Sequence, residues 1–567
     1  MGNIMPIPIG VEFYKDMISE GYYYVDKTLL IHDILTQKNK VILFTRPRRF
    51  GKTLAQSMLQ AYFEKQVLPD GTVIDNSSYF QGKKIMEMGE EYTKHMGQYP
   101  VIFMSIKSAK QPEYKTAYEK IRENITNEFI RHRYVLESNN LLPVQKEYYN
   151  SFMEHTAGMA EYATSLLFLS ECLEQYHKQK VIILIDEYDV PLENAYFEGF
   201  YDQMVSFIRS LFESALKTNK SLAFAVITGC LRISRESIFT GLNNLKVVSI
   251  LDNSYAEYFG FTQKETDKML SFYGIDDRSD EVKKWYNGYL FGSVEVYNPW
   301  SVINYIYDII YQNTNYPKPY WSNTSSNSII HELIEKADSI TRRELEELVA
   351  GGTIEKPVYE DITYGDIYKS QDNLWNFLFF TGYLKKTGER WDEQLQGIYL
   401  YLTIPNKEIS YIYRNTIMEW SALRIQSQDL SGLIQSFENG DCVTASDIIT
   451  EQLLDTISFY DYKEDYYHGF LAGLLKNNTK YYVKSNRESG LGRYDLVLKT
   501  HRIRKGRAII LELKVTDNIN EMENSCIKAL EQIEKLHYDS DITKEGYIDI
   551  IKYGICFYKK ECLVMQK

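Results

Sequence analysis

The stretch Val41-Ile42-Leu43-Phe44-Thr45-Arg46-Pro47-Arg48-Arg49-Phe50-Gly51-Lys52-Thr53 runs from an apolar segment through an arginine-rich loop toward a helix. Val41 to Phe44 is a short, wholly apolar run of the kind that forms a buried parallel strand. Leu54, Met58, Leu59 and Phe63 then recur at helical spacing. Strand, loop and helix in that order are the context a P-loop needs. Its pattern, GxxxxGK[ST], leaves backbone N–H groups bare so that they curl around phosphates. Gly51, Lys52 and Thr53 supply the second half, and Arg46 stands where the first glycine is usual. Lys52 is placed to reach the β- and γ-phosphates and Thr53 to hold Mg²⁺. Arg48, Arg49 and Phe50 complete the candidate loop. Its arginines, Arg46 included, read equally well as phosphate contacts or as a solvated or ion-paired turn.

Working outward, Val101 to Met104, Val181 to Ile185 and Leu222 to Ile227 are further buried-strand runs separated by long helical stretches. That alternation predicts an α/β domain with a parallel sheet. The third run ends in Asp186-Glu187, where Asp186 can bind Mg²⁺ and Glu187 can orient an attacking water. Asp189 lies just beyond. The fourth run ends in Thr228-Gly229, which puts Thr228 beside a γ-phosphate as a sensor. Arg232 and Arg235 follow, and either can stabilise transition-state charge.

Beyond residue 255 the pattern becomes mostly helical, with aromatic clusters such as Trp285-Tyr286-Asn287-Gly288-Tyr289. A second α/β unit begins near residue 455. There, Asp495 stands at the start of one strand and Glu512-Leu513-Lys514 lies on the next. Residues two apart on a strand share a face, so Glu512 and Lys514 point together while Leu511, Leu513 and Val515 pack on the other side. Two carboxylates, with water and phosphate oxygens, make a Mg²⁺ site, and Lys514 can orient the water or steady negative charge. Glu464 and His468 share one helical face upstream. Glu464 is a candidate further metal ligand, and His468, Arg493 and Gln532 are candidate nucleic-acid contacts. Tyr538 is a candidate to order the site beside Gln532.

The chain has 567 residues, which suggests several domains, and a net charge of -13, which argues against a surface that wraps nucleic acid throughout. The acid is unevenly placed. Residues 480–514 hold ten basic and three acidic side chains, and residues 456–567 hold 19 and 16. A basic strip beside a carboxylate pair suits a phosphodiester. Six scattered cysteines without a CxxC pair argue against a zinc ribbon or disulfide framework and fit a reducing cytoplasm. No apolar run approaches the ~18 residues that span a bilayer, so no membrane partner is expected.

These blocks, together with Tyr24-Val25-Asp26-Lys27-Thr28, Tyr297-Asn298-Pro299-Trp300-Ser301 and Gly492-Arg493-Tyr494-Asp495, carry a resemblance. The chain resembles the bacterial AAA-ATPase-like family whose members end in a PD-(D/E)XK nuclease-like domain. The family's loop looks like TRPRRFGKT, so Arg46 is a family trait. The resemblance implies a RecA/AAA-like P-loop core over 1–255, a mostly helical, lid- or winged-helix-like middle over 256–454 and a restriction-endonuclease-like α/β domain over 455–567. It also implies ATP and Mg²⁺ as cofactors. The expected activity is ATP-regulated DNA cleavage in the cytoplasm, with DNA placed ahead of RNA and a role in defence or mobile elements. The alternative is a nucleotide-dependent switch whose tail binds nucleic acid without cutting it. A homo-oligomer is compatible with the resemblance, since AAA-type sites often borrow an arginine from a neighbouring copy.

Overall fold

The computed structural model describes residues 5–68, 70–231, 238–239, 242–321, 328–360, 370–394, 396–426, 431–455, 464–476, 478, 480–489, 492–501 and 506–567. They divide into two compact units. One comprises Met1–Ser325 with Glu355–Ser410, the other Ser326–Ile354 with Tyr411–Lys567.

The first unit is built on a five-stranded sheet of Val41–Thr45 (β1), Val101–Ser105 (β2), Val181–Asp186 (β3), Leu222–Gly229 (β4) and Leu245–Val248 (β5). The spatial order is β5-β1-β4-β3-β2, and every neighbouring pair is parallel. β1 and β3 are buried along their whole length, as apolar strands covered on both faces must be. β5 is an edge strand with Lys246 exposed, and its mixed composition hides it from a search for apolar runs. The register sets Thr45 beside Gly229 and Ser105 beside Asp186, so the polar ends of β1, β3 and β4 emerge at one edge. Open α/β sheets bind ligands outside the carboxyl ends of their strands. Helix α1 (Lys52–Phe63) leaves that edge directly from Gly51, and α2 (Val190–Glu198) follows β3.

The middle of the chain, expected as mostly helical, also contains two three-stranded sheets. Phe261–Thr262 (β6), Tyr289–Phe291 (β7) and Val294–Tyr297 (β8) lie in the order β6-β8-β7. Ile354–Pro357 (β9), Lys385–Asp392 (β10) and Gly397–Thr403 (β11) lie in the order β9-β11-β10. β7 and β8 are joined through Gly292, whose φ of 54° a turn this tight requires. Helix α3 (Pro299–Gln312) begins immediately after β8, capped by Asn298.

In the second unit, Tyr481–Ser489 (β12), Gly492–Thr500 (β13), Arg507–Val515 (β14), Asp549–Tyr558 (β15) and Glu561–Gln566 (β16) form a mixed sheet in chain order. Only β14 and β15 run parallel. Helix α4 (Glu464–Lys476) covers one face with Tyr467, Leu471 and Leu474, which pack on Leu496, Leu511 and Leu513. Helix α5 (Met522–Lys535) covers the other with Leu530 and Ile533, which pack on Val497, Ala508 and Ile510. The alternation along β14 therefore puts Glu512 and Lys514 on the α5 face. Gly554 lets α5 approach closely, since a side chain there would run into the carbonyl of Cys526. Among the described residues no helix is long and apolar enough to cross a membrane.

One buried carboxyl in the first unit has a stability consequence. Glu408 is fully buried, accepting hydrogen bonds from Ser301 Oγ at 2.9 and 3.0 Å and from the Trp321 amide at 2.9 Å. Burial pushes its carboxyl up to about 8. An acid raised on folding contributes stability that is full below its ordinary value and is lost as pH rises through its folded one. The wild type is expected to lose stability between pH 4.5 and about 8, and Glu408→Gln to be flatter there. Urea denaturation at pH values spanning that window measures it, and identical pH profiles would contradict the assignment.

Candidate functional site

At the carboxyl edge of the first sheet, Asp186 is the hub. Its Oδ2 accepts from Thr53 Oγ1 at 2.7 Å and its Oδ1 from Thr228 Oγ1 at 2.5 Å. Thr53 of the loop, Asp186 at the end of β3 and Thr228 at the end of β4 are thus brought together. Gln56, one turn along α1, donates to the carbonyls of Ile185 and Val226 and pins the helix across β3 and β4. A buried polar residue three positions after Thr53 is the only sequence signal for that role.

The Lys52 ammonium donates to the carbonyls of Arg46 and Pro47, both at 3.0 Å, and lies 3.5 Å from Cys230 Sγ. Gly51 has φ 81° and Arg49 φ 72°. These left-handed residues turn the loop so that α1 starts at its rim. Phe50 is buried, its ring against Tyr289 and Phe291, so that only its backbone is free to face a ligand. A cavity of about 370 Å³ opens over this loop. Arg48 to Thr53, Glu187 and Cys230 line its polar side, and Val11, Tyr23, Trp300 and Ile303 its apolar side. The hydroxyl, carboxylate, ammonium and loop together fit a nucleoside triphosphate with Mg²⁺.

Glu187 lines the cavity in a left-handed conformation, φ 53°, and burial pushes its carboxyl up. Such backbone strain persists where neighbouring structure enforces it, often at functional positions. Asp189 Oδ2 accepts from the amides of Cys230 and Leu231 at 2.7 and 3.1 Å, holding the turn that leaves β4. Arg232 and Arg235, which follow that turn, lie outside the described residues.

The loop arginines part company. Arg46 is completely buried. Its Nη1 donates to the carbonyls of Thr45 and Val248, and its guanidinium lies 5.4 Å from the Phe259 ring and 5.0 Å from the Phe291 ring. Burial pulls it down to about 9. Arg48 pairs with Glu193 of α2. Arg49 is exposed to the cavity.

In the second unit, Glu512 is 1% exposed, and burial, then the charge of Asp495, pushes its carboxyl up to about 7. Its Oε1 accepts from Lys514 Nζ at 3.3 Å and from Gln532 Nε2. Its Oε2 is buried and accepts no hydrogen bond among the described residues. A bare, buried carboxylate oxygen is costly unless a cation answers it, so the donor set fits a divalent metal. Asp495 Oδ2 accepts from the Leu513 amide at 2.8 Å, which ties β13 to β14 beside Glu512. Gln532 also donates to the Tyr538 hydroxyl at 3.1 Å, so both residues order Glu512. His468 lies on the backbone of this site, its Nε2 3.0 Å from the Asp495 carbonyl and 3.1 Å from Ser485 Oγ. Glu464 opens α4 and Arg493 lies on β13, but their side chains fall outside the described residues.

Comparison with known proteins finds matches to two separate parts of the chain. Residues 8–239 match a family model described as Predicted AAA-ATPase, and residues 462–567 match the PD-(D/E)XK nuclease superfamily. A relative described as "Uncharacterized protein in vnfD 5'region", from Azotobacter chroococcum mcd 1, is 26% identical over 469 residues. The match covers 81% of this chain and 78% of that relative.

The fate of Arg46 yields a counter-intuitive expectation. Arg46→Gly restores the common P-loop pattern yet empties the aromatic box, and is expected to destabilise the first unit by about 3 kcal/mol. Denaturant midpoints check this, and an unchanged midpoint would contradict a structural role for Arg46.

Proposed function

We propose that this chain, an AAA-ATPase-like domain followed by a PD-(D/E)XK nuclease-superfamily domain, is an ATP-regulated, Mg²⁺-dependent DNA nuclease. The observation that carries the proposal is the bare, buried Oε2 of Glu512, set beside Asp495 and Lys514 on one sheet face. When bound there, Mg²⁺ supplies neutralisation of phosphate charge and a water acidic enough to attack. Asp495 and Glu512 would hold it. Lys514, its ammonium partly exposed, offers charge to the phosphate as negative charge develops. Gln532, steadied by Tyr538, keeps Glu512 in place.

In the first unit, Lys52 and the loop amides would hold the phosphates of ATP, and Thr53 and Asp186 would hold its Mg²⁺. Glu187 orients the attacking water. Nucleotide state then controls cleavage, in a bacterial cytoplasmic setting such as defence or mobile-element biology, and a homo-oligomer can complete the ATPase site with a neighbour's arginine.

One observation favours a second reading, a nucleotide-dependent switch whose tail binds nucleic acid without cutting. Residues 480–514 carry ten basic side chains against three acidic, enough positive charge to hold a phosphate backbone without a metal.

Nicking of supercoiled plasmid with Mg²⁺ or Mn²⁺, with and without ATP, separates the two. The nuclease reading predicts nicking by the wild type, a loss of roughly 100-fold or more in Lys514→Ala and Asp495→Ala, and loss of the ATP response in Lys52→Ala. Intact plasmid with the wild type, or unchanged cutting by Lys514→Ala, would sink it.

A further inference from the structure

We infer that Arg49 is the group that distinguishes a triphosphate from a diphosphate in the first unit, and that the Trp300 ring is the platform on which it rests. The inference builds on the nucleotide reading of that cavity.

Three arginines occupy the loop, and two are committed elsewhere. Arg46 fills the aromatic box of Phe259 and Phe291 behind the loop. Arg48 is held by Glu193. Arg49 alone of the three is exposed, and among the described residues it forms no ion pair or side-chain hydrogen bond. Its guanidinium lies 4.3 Å from the centre of the Trp300 ring.

Its backbone explains where it points. Arg49 has φ 72°, a left-handed conformation that an arginine adopts only when its surroundings impose it. Those surroundings are at hand. The next residue, Phe50, is locked between Tyr289 and Phe291, and its carbonyl accepts from the Gly260 amide at 3.3 Å. With Phe50 fixed inward, the preceding side chain is thrown into the cavity that Lys52, Thr53 and Glu187 also line. The terminal phosphate must lie among those three groups if Lys52 and Thr53 hold the nucleotide.

The platform is the weaker partner. A cation–π contact with a partly exposed ring is worth less than forked, charge-assisted hydrogen bonds to a phosphate. A terminal phosphate therefore draws Arg49 off Trp300, and a diphosphate leaves it there. Lysine lacks the planar fork and stacks less well, so it cannot take over either half of the exchange. Trp300 is the second residue of α3, directly after Pro299, so release of the stack is felt at the start of that helix.

The test uses the full chain and two probes, ADP and a slowly hydrolysed ATP analogue, with affinities measured by calorimetry. Arg49→Ala is expected to bind ADP as the wild type does and the triphosphate about tenfold more weakly, with Arg49→Lys close to Arg49→Ala. Tryptophan emission of the wild type is expected to change with the triphosphate and not with ADP, and Trp300→Phe to remove that change. An Arg49→Ala affinity ratio equal to that of the wild type, or equal weakening for both nucleotides, overturns the inference. Failure of the wild type to bind either nucleotide would instead overturn the nucleotide reading, and the inference with it.

Discussion

The two hydrogen bonds received by Asp186 are what the N-terminal architecture depends on. A carboxylate 1% exposed at a sheet edge must be answered, and the groups that answer it are Thr53 and Thr228. They belong to the helix after β1 and to the end of β4. Because β4 lies between β1 and β3, one side chain links β3 both to β4 and to the helix that follows β1. The register that brings Thr45 level with Gly229 makes this geometry possible. Gln56 adds a second bridge beneath it. The loop, the acidic pair and the end of β4 therefore form one polar assembly on an apolar base.

The second unit meets the same electrostatic demand differently. Glu512 also sits on a strand buried on both faces, but among the described residues only one of its oxygens is answered. Lys514 and Gln532 crowd Oε1, while Asp495 adds negative charge nearby. Burial first, and the charge of Asp495 second, raise the proton affinity of Glu512 unless a cation intervenes. The chain's net charge of -13 conceals this, because basic side chains are concentrated between residues 480 and 514.

Features set by short-range pattern were legible in the sequence. The strand, the loop and the helix over residues 41–63 followed from the local pattern, and period-two alternation correctly placed Glu512 and Lys514 on the face opposite Leu511 and Leu513. Features set by distant partners were not. Arg46 takes its role from Val248, Phe259 and Phe291, some two hundred residues away, and nothing in the loop itself marks one arginine as buried and another as exposed. His468 shares a helical face with Glu464, yet the strand it meets, through the carbonyl of Asp495, emerges only from the sheet register. The short strands of the middle region escaped because aromatic runs such as Tyr289 to Phe291 suit a helix or a strand equally, and the turn at Gly292 decides between them.

The claim on which the functional account rests most heavily is that Asp495 and Glu512 hold a divalent cation. Calorimetric titration of Mn²⁺ into the full chain, with Lys52→Ala in the background to weaken nucleotide-linked binding in the first unit, addresses it directly. The account predicts a saturable binding heat that disappears when Glu512→Gln is added. No binding heat, or an isotherm unchanged by Glu512→Gln, would contradict it.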